Sequence, residues 1–149
     1  MRTNKTLEIV KAAATAAVNH RAQNPVILDL RELDCFTDFF AIFSGISDIQ
    51  VEGISDAVLE ELEENWDQRP WQKEGAKRSD WILLDYVDFV IHIFLDEKRA
   101  FYNLERLWSE APQIDLPETE VVKIIDQQEE YDENELVLGL VTSDGGNAT

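Results

Sequence analysis

Two apolar runs constrain the fold of this chain more than any other feature. Phe39-Phe40-Ala41-Ile42-Phe43 and Phe89-Val90-Ile91-His92-Ile93-Phe94 offer almost no polar face to water. Side chains alternate across a strand, so such runs need cover on both faces or a central place in a sheet. Nowhere does an apolar run reach the roughly 20 residues needed to span a bilayer, and no membrane partner is expected.

The flanking patterns supply the cover. Leu7, Val10, Ala14, Ala17 and Val18 recur at helical spacing and predict a helix over 5–22, capped by Thr3 or Asn4 and stopped by Asn24-Pro25. Val26-Ile27-Leu28-Asp29-Leu30 reads as a buried strand. Ser47 and Gln50 form a capping box for a helix over 48–65, with Val51, Ile54, Val58, Leu62 and Trp66 on its apolar face. A short strand is expected near 70–72, in a segment that gathers Arg69, Lys73, Lys77 and Arg78. Trp81–Asp85 pairs with the second apolar run in a hairpin around Tyr86-Val87-Asp88. Asp96 is placed as the cap of a third helix with Phe101, Leu104 and Leu107 or Trp108 as its stripe. The order α-β-β-α-(β)-β-β-α predicts an α+β domain, a mixed β-sheet flanked by helices.

Charge divides the 149 residues unevenly. The chain has 13 basic and 31 acidic side chains, a net of −18; residues 115–149 hold ten acids against Lys123 alone, a net of −9. With Pro112 and Pro117 at the junction, this predicts a domain over 1–112 and an acidic, largely disordered tail over 113–149. Within the tail, Val121–Ile125 and Leu136–Val141 are short apolar interruptions. Binding of DNA or RNA through phosphates needs clustered Lys and Arg, so the balance argues against direct nucleic-acid contact and for a basic protein partner. One cysteine, Cys35, excludes an internal disulfide, and the N-terminus leads into an amphipathic pattern rather than a secretory signal, so a cytoplasmic location is expected.

Catalytic chemistry finds few residues to use. His20 and His92 are the only histidines and no metal-ligand spacing appears. His92 faces opposite to Ile91 and Ile93 and reads as a surface or hydrogen-bonded strand histidine. Ser44-Gly45-Ile46-Ser47-Asp48 joins a strand to a helix N-terminus but has neither a Gly-x-Gly-x-x-Gly pattern nor a P-loop lysine. Asp85 and Asp88 read as turn residues. No cofactor, metal or catalytic residue is assigned. Aromatic residues are the strongest local signal. Phe39, Phe43, Phe94 and Phe101 are placed in the core, while Trp81 and Tyr86, at the two ends of a strand, read as interface anchors.

Three stretches carry a family resemblance: Ile27–Arg31 with Phe36–Asp48, Asp80–Phe94, and Arg99–Trp108. In order and spacing, over about residues 5–110, the chain resembles the ribosomal silencing factor, or iojap, family. The resemblance implies a nucleotidyltransferase-like fold without the catalytic set, and a translational repressor rather than an enzyme. It implies binding to the large ribosomal subunit through its ribosomal protein fourteen, steric exclusion of the small subunit, and a homodimer when free. Carried over by position, the partner surface is Trp81, Leu83, Asp85 and Tyr86, with Asp88 and His92 nearby. Tyr102, Asn103, Glu105 and Arg106 would tie the third helix to the sheet. The chain departs from the family at Val87, where glycine is frequent, so the hairpin turn and the Tyr86 orientation are open. Two rival readings remain: a divergent nucleotidyltransferase using the Ser44–Asp48 turn and Asp85, which nucleotide–magnesium binding would reveal, and an acidic homodimeric scaffold acting through its tail.

Overall fold

A computed structural model describes residues 2–75 and 80–116. The order is α1 (Arg2–Asn19), β1 (Gln23–Asp29), β2 (Phe39–Gly45), α2 (Asp48–Trp66), β3 (Gln72–Glu74), β4 (Trp81–Asp85), β5 (Phe89–Leu95), α3 (Asp96–Tyr102), α4 (Leu104–Leu107) and β6 (Gln113–Ile114). The strands form one sheet in the order β3-β4-β5-β2-β1-β6. β2 and β5 run parallel at its centre, from Phe39 opposite Phe89 to Gly45 opposite Leu95, and the other pairs are antiparallel. The α+β class and the mixed sheet are those expected from the apolar runs.

The sheet has a different cover on each face. Ile27, Phe39, Ala41, Phe43, Ile82, Leu84, Phe89, Ile91 and Ile93 pack with Val10, Ala14 and Ala17 of α1 and Val51, Ile54, Val58 and Leu62 of α2. On the other face Leu28, Leu30, Phe40, Ile42, Val90 and Phe94 meet Leu104, Trp108 and Ala111, with Leu33 and Cys35 from the loop after β1.

Boundaries shift where backbone hydrogen bonds overrule the pattern. α1 stops at Asn19, not near residue 22. The Ala22 amide donates to the Ala17 carbonyl and the Arg21 amide to that of Val18, with Arg21 left-handed at φ 65°. These are the paired bonds of a Schellman motif, closed by arginine instead of the usual glycine. At α2, Ser47 Oγ accepts from the Gln50 amide, as the capping box requires, but Gln50 Oε1 accepts from the Ile46 amide, one residue further out. β3 lies two residues beyond the expected 70–72. β6 was not foreseen; it pairs with β1, so the described chain continues its sheet past Pro112. Of the expected tail, residues 117–149 lie outside the described residues, as do Lys77 and Arg78.

The third helix is the main correction. It is two short helices, broken at Asn103 with φ 50°. Asp96 is the first helical residue rather than the cap; Leu95 holds the cap position with no side-chain cap bond. Phe101, expected in the core, is 78% exposed, and Leu107 is 73% exposed. What fixes this segment is Arg99, buried beneath it. Its guanidinium donates to both Glu105 carboxylate oxygens at 3.3 and 2.9 Å, to Ser44 Oγ at 2.9 Å and to the Gln23 carbonyl at 3.5 Å. A planar fork spreads these bonds over three elements, which a lysine cannot do. Arg99→Ala should therefore lower unfolding free energy by about 2 kcal/mol in urea titrations, whereas the exposed Arg106→Ala should change it little.

Candidate partner-binding face

Cover on the second face is incomplete at β4. Trp81, Leu83 and Asp85 alternate with buried Ile82 and Leu84, and all three are half-buried. The row therefore presents two large apolar side chains and a carboxylate at the margin of a packed face. That is the anatomy of a contact surface with an apolar centre and a charged rim.

Trp81 is held on several sides. Its ring lies 4.9 Å from Phe94 and 4.8 Å from Tyr102, centroid to centroid. Its indole Nε1–H donates to His92 Nδ1 at 3.1 Å. His92 sits across from Leu83 on β5, edge-on to Phe40 at 4.4 Å. Its side chain points away from Ile91 and Ile93, as expected, and of the two readings it is the hydrogen-bonded one: it is buried, with 3% exposed. Accepting at Nδ1 leaves the proton of the neutral ring on Nε2, and Nε2 is buried with no hydrogen-bond partner in the structure. Burial pulls the His92 pKa from 6.5 down to about 3.

Tyr86 does not join this row. It lies on the α1/α2 face, stacked on Phe89 at 4.7 Å and buried in that core. Its hydroxyl is buried without a hydrogen-bond partner among the described residues, and burial, then the nearby Glu63 carboxylate, raise its pKa to about 12. The alternation through Ile82 and Leu84 continues to Tyr86, so the residue read as an interface anchor is buried in the free chain. Asp85 and Asp88 shape the turn, as expected. Asp85 Oδ1 accepts from the Val87 amide at 2.8 Å, and the Asp88 amide donates to the Tyr86 carbonyl at 2.9 Å. Of the six residues, Trp81, Leu83, Asp85 and His92 share one face, Asp88 lies in the turn beside it, and Tyr86 is on the other face.

The Ser44–Asp48 turn has structural work: Ser44 Oγ accepts from Arg99 and Ser47 caps α2. Among the described residues no group of three or more His, Cys, Asp or Glu converges on a point. Tyr102 and Glu105 do tie the α3–α4 segment to the sheet, through Trp81 and Arg99; Asn103 is instead the break between the helices, and Arg106 is exposed. Arg99 was missed because its partner Glu105 lies six residues on, a spacing that a continuous helix would not bring together.

Two outcomes follow for the face. A histidine whose folded pKa is depressed stabilises the fold fully above 6.5, and that stability drains as pH falls towards 3. His92→Asn, neutral throughout and still able to accept from Trp81, should flatten the fall between roughly pH 5 and 6.5. There the native slope from this group approaches about 1.4 kcal/mol per pH unit. Separately, Tyr86→Ala should cost about 3 kcal/mol in urea unfolding, more than Trp81→Ala, because it opens a cavity in the core.

Comparison with known proteins places the chain among relatives. Residues 3–137 match the family model described as ribosomal silencing factor during starvation. The chain is 38% identical over 108 residues to ribosomal silencing factor RsfS of Bacillus subtilis, covering 72% of this chain and 91% of that one. It is 35% identical over 111 residues to the chloroplastic protein Iojap of Zea mays, covering 74% of this chain and 48% of that one. A crystal structure from Bacillus halodurans is similar with a TM-score of 0.63 and 31% identity, covering 76% of this chain and 99% of that one. One from Chromobacterium violaceum gives a TM-score of 0.65 at 28% identity, covering 69% and 85%.

Proposed function

The chain belongs to the ribosomal silencing factor family, and from that membership we propose that it is a translational repressor that binds the large ribosomal subunit and keeps the small subunit from joining. The observation that supports this reading is the Trp81-Leu83-Asp85 row on β4, half-buried and therefore partly open to a partner. Ribosomal protein fourteen of the large subunit is the proposed partner, as the family resemblance implies. A basic protein surface suits a chain of net charge −18: charge steers the encounter, and desolvated aromatic and aliphatic groups hold the complex.

The action is exclusion of one surface by another, so no bond is made or broken and no cofactor is needed. Trp81 enters the contact already oriented. Its indole N–H is satisfied by His92 and its ring is fixed by Phe94 and Tyr102, which reduces the side-chain entropy lost on binding. The free chain is proposed to be a homodimer located in the cytoplasm, where ribosomal subunits are joined.

Sucrose-gradient sedimentation with separated subunits tests the reading. The protein should travel with large subunits, not small ones, and should reduce the joined-ribosome peak when both subunits are mixed. Trp81→Ala combined with Leu83→Ala should abolish this, at about 2–4 kcal/mol of binding per true hot spot. Unchanged co-sedimentation of that variant would move the contact away from β4.

A further inference from the structure

At the β4–β5 turn, residue type and backbone geometry disagree. Val87 has φ 74°, in the left-handed region that β-branched side chains resist. Four hydrogen bonds hold it there. Its amide donates to Asp85 Oδ1 at 2.8 Å and its carbonyl accepts from Thr37 Oγ1 at 3.0 Å. Asp88, the next residue, donates its amide to the Tyr86 carbonyl and accepts at its own carbonyl from the Asp38 amide, both at 2.9 Å. Val87 is nevertheless 57% exposed, so burial in the free chain does little to repay the strain. Strained residues that the surroundings over-determine in this way concentrate at functional sites.

Hydrogen bonds at the turn bring up the segments of two more exposed apolar residues. The contacts of Thr37 and Asp38 bring the loop carrying Phe36, 77% exposed, against the turn. The Trp71 amide donates to the Asp85 carbonyl at 2.7 Å, which sets Trp71, 72% exposed, on the other flank. Asp38, Asp85 and Asp88 belong to these same segments. Of the basic groups near these segments, Arg31 is bound to Asp29 and Arg69 lies with Glu63 and Asp67, while Lys73 stands exposed on β3.

We propose that Phe36, Val87 and Trp71 form an apolar tip, rimmed by Asp38, Asp85 and Asp88, that docks on the same basic protein partner as the β4 row. The inference rests on the function proposed above and deepens it. Asp85 belongs to both the row and the tip and links the two. Charge selects the occupant. A second copy would set carboxylates against carboxylates, and a nucleic-acid backbone would be repelled, whereas lysine and arginine side chains on a protein partner pair with the rim while its apolar groups cover the tip.

The test measures affinity of the full-length chain for purified large ribosomal subunits beside its thermal melting. Val87→Gly should raise the melting temperature, because glycine accepts this φ, and should weaken binding about tenfold. Phe36→Ser should melt like the native chain and also bind about tenfold more weakly. If both variants bind as the native chain does, the tip is not a contact, and the β4 reading stands. If both leave subunit binding intact but disrupt self-association, the tip covers a second copy, which overturns the assignment. A native chain that binds no ribosomal particle overturns the proposed function, and the tip with it.

Discussion

The parallel pairing of β2 with β5 is the constraint on which the rest depends. Every residue of β2 is buried, and all of β5 except Leu95. Parallel neighbours cannot be joined by a tight turn, so the chain must leave the sheet and return. α2 makes that excursion and, with α1, covers one face. The opposite face is equally apolar and is closed piecemeal, by α3 and α4, the segment to Ala111, and the loop holding Leu33 and Cys35. Piecemeal cover is incomplete at β4, and so a row of half-buried side chains follows directly from an over-apolar centre.

Electrostatics then fixes what packing leaves loose. Short helices bearing exposed Phe101 and Leu107 have little apolar surface with which to dock. Arg99 holds them through Glu105, Ser44 and Gln23. The chain of positioning runs from Ser44 at the end of β2 to Arg99, along α3 to Tyr102, and across to the Trp81 ring. A buried guanidinium thus helps to set the orientation of an aromatic side chain on a different strand.

The elements legible in the sequence were those with a strong period or a flanking punctuation mark. Phe39–Phe43, Trp81–Asp85 and Phe89–Phe94 declared their strands, and Ser47 with Gln50 declared the start of α2. The split at Asn103 was not legible, because Phe101, Leu104 and Leu107 keep helical spacing whether or not the backbone is continuous. The burial of Tyr86 was not legible for a related reason: at a strand end an aromatic has no assigned face until register supplies one. His92 shows the opposite case. Its face could be read from alternation with Ile91 and Ile93, but its burial depended on Phe40 and Trp81, which arrive from distant positions in the chain. β6 is only two residues long and leaves no periodic trace.

β3 has a consequence beyond closing one side of the sheet. It is only Gln72, Lys73 and Glu74, all exposed, and it occupies the hydrogen-bonding edge of β4 from Leu83 to Asp85. Short, charged edge strands discourage another chain from adding to a sheet. The backbone of β4 from Leu83 to Asp85 is thereby committed on both sides, while Leu83 and Asp85 stay partly open to one face. A partner arriving at Leu83–Asp85 cannot lengthen the sheet there by main-chain pairing, which is tolerant of sequence. It must read the side chains themselves, so recognition on this strand is a matter of residue identity rather than of strand complementarity.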